Sequence, residues 1–150
     1  MNAARNRVIT ELRERIAPME SPASRKAGAL PFQVAAVDAA LPGGGLAYGA
    51  LHEVSGGGAG AVDGAAAALF AAGIAARTTG PIVWCLTRPD LFFPALAQVG
   101  LHPDRVYFVE SDKEEDVLAN AEEALAYGGL GAVVAELVRL PMVASRRLQL

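Results

Sequence analysis

A glycine-rich segment, SGGGAGAVDG at residues 55–64, constrains the fold of this 150-residue chain more than any other feature. It lies between a strand-like run, LHEV at 51–54, and an alanine-rich run that continues to Arg77. A strand, a glycine-rich turn and a helix form the unit in which backbone N–H groups and a helix N-terminus cradle phosphate. The segment therefore predicts an α/β fold that contains a phosphate-binding loop.

The predicted loop differs from a working phosphate-binding loop at the positions that act on nucleotide. In G-x-x-x-x-G-K-[ST], the lysine contacts the β- and γ-phosphates and the hydroxyl binds Mg²⁺. With the template started at Gly56, Val62 stands at the lysine position and Asp63 at the hydroxyl position. We therefore predict no catalytic residues and no cofactor, although weak nucleotide binding through backbone amides stays open. The vestigial loop comprises Gly56, Gly57, Gly58, Gly60, Val62 and Asp63.

The composition narrows the class of protein. The net charge of −3 argues against a protein coated in basic residues for binding nucleic acid. The single cysteine, Cys85, excludes an internal disulfide, and the scattered His52 and His102 predict no metal site. No uninterrupted apolar run reaches the roughly 18 residues of a membrane span, and the first residues lack the apolar block of a secretory signal. We therefore expect a soluble cytoplasmic protein that does not bind membranes.

Residues 1–28 are predicted to be an N-terminal amphipathic helix and its linker. Apolar residues recur at helical spacing over 2–17, arginines occupy the other faces, and Pro18 and Pro22 begin an irregular stretch. Two interpretations stay open: the helix docks on a neighbouring subunit or another protein, or it packs on its own domain. Its candidate partner-binding residues are Arg5, Leu12, Arg13 and Ile16.

Residues 29–150 are predicted to form one α/β core. Strand patterns at 51–54, 81–87, 106–110 and 131–138 alternate with helical patterns at 61–77, 94–100 and 113–127, the last capped by Ser111. This alternation indicates a mostly parallel sheet with helices on both faces. A final helix begins at ASRRLQL and the chain stops, so we expect a core incomplete at its C-terminus, either as a fragment or as a natural shortening.

The stretch VDAALPGGGLAYGALHEVSGGGAG, residues 37–60, resembles the entry to the core of the RecA recombinases. The residues that match without a gap are Asp38, Ala40, Leu41, Gly44, Gly45, Leu46, Gly49, Glu53 and Gly56. The resemblance implies a RecA-like fold, with Glu136 at the acidic end of the Walker B strand. Where the recombinases have the carboxylate that activates water, this chain has Arg88. Arg88 either pairs with Glu136 or lies in a solvated loop. The lysine, the hydroxyl and this carboxylate are thus all replaced, by Val62, Asp63 and Arg88. The loss of these three groups implies a protein that is not an enzyme.

Among RecA-like proteins, the chain is most similar to the ImuA family, through LRERIAPME, PIVWCLTRPDL, GLHPDRVYFVE and SRRLQL. This resemblance implies a non-catalytic accessory protein of SOS-induced mutagenic translesion synthesis, acting through protein contacts. The implied partners are ImuB, which is an inactive Y-family polymerase homologue, an error-prone polymerase, and RecA as a further candidate. Two alternatives stay open: a SulA-like cell-division inhibitor that binds FtsZ, and a nucleotide-dependent enzyme.

Two groups of surface candidates have competing interpretations. Phe92 and Phe93 follow the second predicted strand and either contact a partner or join the core. Arg139, Arg146 and Arg147 are DNA-proximal candidates in the RecA-like interpretation, or else a polar helix start. Because salt-dependent DNA binding generally neutralises more phosphates than three arginines can, any DNA contact is expected to be weak or indirect. Oligomerisation stays open.

Overall fold

The computed structural model describes Arg7, residues 28–58 and residues 60–148. The chain forms two compact units, Met1–His52 and Glu53–Leu150. Apart from Arg7, the predicted helix at 2–17 lies outside the described residues, together with its candidates Arg5, Leu12, Arg13 and Ile16. The predicted domain boundary at residue 28 therefore stays a prediction.

The first unit contains a small antiparallel hairpin. Strand β1, Ala29–Leu30, pairs with β2, Leu46–Ala47, and helix α1, Ala35–Asp38, and a 3₁₀ turn at Pro42–Gly44 connect them. The Asp38 carboxylate accepts hydrogen bonds from the backbone N–H groups of Phe32 at 2.6 Å and Gln33 at 2.9 Å. At Gly45 a Cβ would lie 2.3 Å from the Leu30 carbonyl oxygen, so the hairpin requires glycine there. Asp38 and Gly45 of the recombinase-like motif thus shape this local structure.

The second unit is an α/β domain, as the alternation of strand and helix patterns predicts. Its elements are α2 at Ala61–Ala76, β3 at Ile82–Leu86, α3 at Phe93–Gln98, a 3₁₀ turn at Pro103–Arg105, β4 at Val106–Glu110, α4 at Glu114–Tyr127, β5 at Ala132–Ala135 and α5 at Met142–Arg147. The three strands are parallel, in the order β4–β3–β5, and Ile82 lies opposite both Val106 and Ala132. The predicted α/β class with a parallel sheet is confirmed.

The central strand β3 divides the core into two layers. Ile82, Trp84 and Leu86 point to one face of the sheet and pack with residues of α2 and α3. Cys85 points to the opposite face, where it packs with Val117 and Ala121 of α4. This alternation follows from the period of two along a strand. Helices therefore flank the sheet on both faces, as predicted.

Helix α2 consists mostly of alanine. Alanine has the highest helix propensity, so the run forms a helix readily. Ala72 and Ala75 are almost completely buried. Within residues 28–58 and 60–148, no helix combines the length and apolar character needed to cross a bilayer.

The predicted strand at 51–54 is wrong. These residues have no regular secondary structure, and His52, Glu53 and Val54 are exposed. A strand requires a neighbour that completes its backbone hydrogen bonds, and the described part of the chain gives this segment none. Along the described sheet, β5 is consequently an edge strand.

The predicted N-cap of α4 is also wrong. The helix begins at Glu114, with Lys113 as the capping residue and no side-chain cap hydrogen bond. The Ser111 hydroxyl instead accepts a hydrogen bond from Nδ2 of Asn120 at 3.0 Å. Acidic residues in the first turn favour the helix through its dipole.

Arg105 satisfies the backbone carbonyl groups at the end of α2. Its Nη1 donates to the carbonyl of Ala76 at 2.9 Å, and its Nη2 donates to those of Thr78 at 2.7 Å and Gly80 at 2.9 Å. Carbonyls at a helix C-terminus lack intrahelical donors, and a cation there also complements the helix dipole. Arg105 therefore joins the start of β4 to the end of α2.

Arg105→Met should lower the free energy of unfolding by about 1–3 kcal/mol, because carbonyl groups lose a charged donor. The matched control is Arg88→Met, since Arg88 is exposed. This control should change stability by less than about 0.5 kcal/mol. Urea denaturation followed by circular dichroism measures both values, and equal effects would contradict the role of Arg105.

Candidate functional site

The candidate functional residues lie in two regions, the glycine loop before α2 and the carboxyl edge of the parallel sheet. Arg88 follows β3, Ser111 follows β4 and Glu136 follows β5. Ligands of open α/β sheets bind at this edge, where successive connections leave toward opposite faces. Here the segment after β3 leads to α3 on one face, and the segment after β4 leads to α4 on the other.

The glycine loop folds around the side chain of Asp63. A Cβ added at Gly56 would lie 2.6 Å from Asp63 Cβ and 2.7 Å from its carbonyl oxygen. At Gly58 it would lie 3.0 Å from Oδ2, and at Gly57 and Gly60 it would lie 3.5 Å from a carboxylate oxygen. The lack of side chains at these positions thus makes room for the Asp63 carboxylate.

The position of Asp63 is electrostatically favourable for the helix and unfavourable for a phosphate. Gly60 is the N-cap of α2, and Asp63 lies in the first turn. The dipole and free N–H groups of a helix N-terminus favour an anion, whether a carboxylate or a phosphate. Near a protein surface, two like unit charges 4 Å apart repel by about 4 kcal/mol. A phosphate placed in this loop would therefore encounter repulsion from the internal carboxylate.

The predicted lysine position carries no compensating charge. Val62 is 83% exposed, so its aliphatic side chain points largely into solvent. Among the described residues, no group of three or more His, Cys, Asp or Glu side chains is placed to hold a metal ion. Neither Val62 nor Asp63 therefore offers a positive charge to an anion placed at this helix N-terminus.

Glu136, the predicted Walker B-like residue, is the hydrogen-bond partner of a core tryptophan. Nε1 of the fully buried Trp84 donates to Oε1 of Glu136 at 2.7 Å. Burial raises the pKa of Glu136, the Trp84 hydrogen bond opposes this shift, and the nearby charge of Asp90 adds to it. Since Arg88 is exposed and forms no ion pair with Glu136 among the described contacts, it lies in a solvated loop.

Sequence reasoning missed the bond between Trp84 and Glu136, although a signal for it existed. A buried indole N–H usually requires an acceptor, and Trp84 lies in an otherwise apolar strand. The acceptor could be identified only once β3 and β5 were known to be neighbours, with Trp84 opposite Val134.

The two phenylalanines after β3 have different environments. Phe92 is 69% exposed, whereas Phe93 lies with its ring centroid 4.9 Å from that of Phe108 in β4. Phe93 thus packs partly on the sheet, and Phe92 projects into solvent. Their role as partner contacts stays a prediction.

The three predicted DNA-proximal arginines do not form one group of free charges. Arg139 and Arg146 are exposed. Arg147 of α5 forms an ion pair with Glu122 of α4. Its charge is therefore partly compensated within the protein, and a contact between these arginines and DNA stays a prediction.

The chain is similar to two curated proteins named ImuA, both from Caulobacter vibrioides. It is 39% identical to the protein of strain NA1000 / CB15N over 125 residues, which cover 81% of this chain and 51% of the relative. The values for the protein of strain ATCC 19089 / CIP 103742 / CB 15 are the same. The chain thus spans about half the length of the curated relatives it matches. No family model and no solved structure matches it.

Gly56→Ala should lower the free energy of unfolding by about 1–3 kcal/mol, because its Cβ would overlap the backbone of Asp63. Gly64→Ala is the matched control, since a Cβ there meets nothing within 4 Å. This second change should raise stability by about 0.5–1 kcal/mol, because Gly64 lies inside α2. Urea denaturation measures both, and a Gly56 variant as stable as the native chain would disprove the packing described for the loop.

Glu136→Gln removes a half-buried charge while keeping an oxygen that can accept the Trp84 hydrogen bond. Because the folded chain raises the pKa of Glu136, folding disfavours the ionised form. The native chain should therefore lose stability relative to the Gln variant as the pH rises from about 4 to 7. Urea denaturation of both proteins over this range measures the difference. The prediction would be contradicted if the free energy of unfolding of the Gln variant, minus that of the native chain, stayed constant or fell as the pH rises.

Proposed function

Because this chain belongs to the ImuA family over the region matched, we propose that it is a non-catalytic accessory protein of SOS-induced mutagenic translesion DNA synthesis. It acts in the cytoplasm through contacts with other proteins. The proposed partners are an ImuB-like inactive Y-family polymerase, an error-prone polymerase and RecA.

The observation that supports a non-catalytic role most directly is the internal carboxylate of the glycine loop. Nucleotide hydrolysis in loops of this kind requires a lysine on the phosphates and a hydroxyl on Mg²⁺. This chain has an exposed valine at the first position and, at the second, an aspartate that the loop glycines surround. The remaining acidic candidate, Glu136, already binds the Trp84 indole. The lysine and the hydroxyl that nucleotide hydrolysis requires are therefore replaced, and the acidic group is engaged in a different hydrogen bond.

The proposed fold is a RecA-like core with a degenerate phosphate loop. Its support is the gap-free sequence match from Asp38 to Gly56, the glycine loop that precedes α2, and the parallel sheet that follows. An indirect or weak DNA contact fits the same proposal. With Arg147 paired to Glu122, the exposed pair Arg139 and Arg146 can neutralise few phosphates.

One capture experiment tests the partner and the nucleotide independence together. The immobilised chain is offered purified ImuB and purified FtsZ in parallel, each with and without millimolar Mg·ATP. We expect ImuB to be retained to the same extent in both conditions, because the proposed contacts need no nucleotide. Retention of FtsZ in place of ImuB would identify a SulA-like division inhibitor. Retention of ImuB only with Mg·ATP would refute the non-catalytic role.

A further inference from the structure

Helix α5 and the residues just before it are fixed on α4 at two points. The backbone N–H of Val138 donates to Oε1 of Glu114, in the first turn of α4, at 2.7 Å. In the last turn of α5, Arg147 forms an ion pair with Glu122 of α4. Glu114 and Glu122 are about 12 Å apart along the helix axis, at 1.5 Å per residue. The segment 138–147 therefore follows α4 for about two helical turns.

The inner face of α5 belongs to the core of the α/β unit. Ala144 is buried, and Leu148, one turn later, packs against the cluster of Cys85, Val117 and Ala121. Because residues four positions apart share a helix face, Ala144 and Leu148 define the side of α5 that faces the core. Helix α5 is thus held by its packing as well as by the two contacts with α4.

The outer face of α5 is apolar and basic. Met142 is 70% exposed, Val143 is 71% exposed, and Arg146 is exposed. With 3.6 residues per turn, these three side chains centre on the direction opposite the buried side of the helix. The solvent face of a surface helix ordinarily carries charged and polar residues. Two large apolar residues on the outer face of such a short helix are therefore a departure from the usual pattern.

Val138 and Arg139 add to this surface immediately before the helix. Val138 is 95% exposed, although Glu114 fixes its backbone N–H. Arg139 and Arg146 form no ion pair among the described contacts, and residues 137–148 contain no Asp or Glu. Two uncompensated cations therefore lie beside exposed apolar side chains. We call this set of residues the α5 surface: Val138, Arg139, Met142, Val143 and Arg146.

The composition of the α5 surface indicates the kind of ligand that it fits. Exposed apolar side chains that cluster are typical of interaction sites, and methionine adapts its shape to a bound partner. A guanidinium group forms strong charge-assisted hydrogen bonds with carboxylates. Nucleic acid would use the two arginines but not the three apolar side chains, and tight binding to it usually neutralises more phosphates. A protein segment with both carboxylates and apolar side chains would use all five residues.

We propose that the α5 surface binds an acidic amphipathic helix of a partner protein. Its apolar residues contact Met142 and Val143, and its Asp or Glu side chains pair with Arg139 and Arg146. Charge complementarity identifies this occupant. Because the surface extends for about two helical turns, the fitting helix has acidic residues seven positions apart and apolar residues between them on the same face. The inference rests on the proposed role in protein binding and names one surface and its ligand chemistry.

A synthetic peptide tests the α5 surface directly. The probe is a fluorescent peptide of about 14 residues, with two Glu seven positions apart and Leu at the same-face positions between them. Arg146→Glu and Val143→Ser should each weaken its binding to the full chain about tenfold or more, measured by fluorescence anisotropy. Arg146→Lys keeps the charge and should stay within about threefold of the native affinity. Both positions are exposed, and unchanged thermal unfolding verifies that each variant is folded.

The matched controls change exposed residues of the same types elsewhere. Arg88→Glu reverses an exposed charge in the segment after β3, and Val62→Ser removes an exposed valine of α2. Each should change the peptide affinity by less than about twofold. Equal effects of Arg146→Glu and Arg88→Glu would overturn the proposal, as would equal binding of a peptide with Lys in place of Glu.

Two further measurements distinguish other occupants. Binding of a fluorescent single-stranded oligonucleotide that Arg146→Glu abolishes, without peptide binding, would identify nucleic acid as the ligand and overturn the proposal. Self-association of the native chain that Val143→Ser abolishes would also overturn it, because the occupant would then be a second copy.

The peptide and the ImuB capture experiment fail separately. Peptide binding that depends on Arg146 and Val143, without retention of ImuB, would support the α5 surface and refute the proposed function. ImuB retention by every variant, without peptide binding, would refute the α5 surface and leave the proposed function in place.

Discussion

The two-sided packing of β3 is the constraint on which the rest of the α/β unit depends. Trp84 and its neighbours Ile82 and Leu86 hold α2 and α3 on one face, and Cys85 helps to hold α4 on the other. The Trp84 indole would be an unsatisfied donor in this core without the Glu136 carboxylate. The buried Trp84 therefore requires a hydrogen-bond acceptor, and Glu136 at the carboxyl edge of the sheet provides it.

The glycine loop places a carboxylate where a helix N-terminus favours an anion. The loop leads into α2, with Gly60 as the N-cap residue and Asp63 in the first turn. The turn surrounds a covalently attached carboxylate, so its positive potential is partly satisfied within the chain.

Much of this fold could be predicted from local patterns, because the patterns and the tertiary contacts agree. The patterns at 81–87 and 113–127 gave bounds within one residue of those observed for β3 and α4. The segment at 51–54 was mispredicted because pairing depends on a neighbouring strand. Arg105 was missed since its acceptors are backbone carbonyls 25 to 29 positions earlier. In the site, the sequence predicted the substitution of Asp63 for a hydroxyl, whereas the hydrogen bond of Glu136 required knowledge of the strand order.

A loop that contains its own carboxylate has a further consequence for control. A ligand that binds one conformation better than another shifts a protein toward that conformation. If the loop binds no nucleotide, as we propose, nucleotide does not switch this chain between two forms. The amount of such a protein present, set by its synthesis and degradation, then determines when its surfaces are engaged.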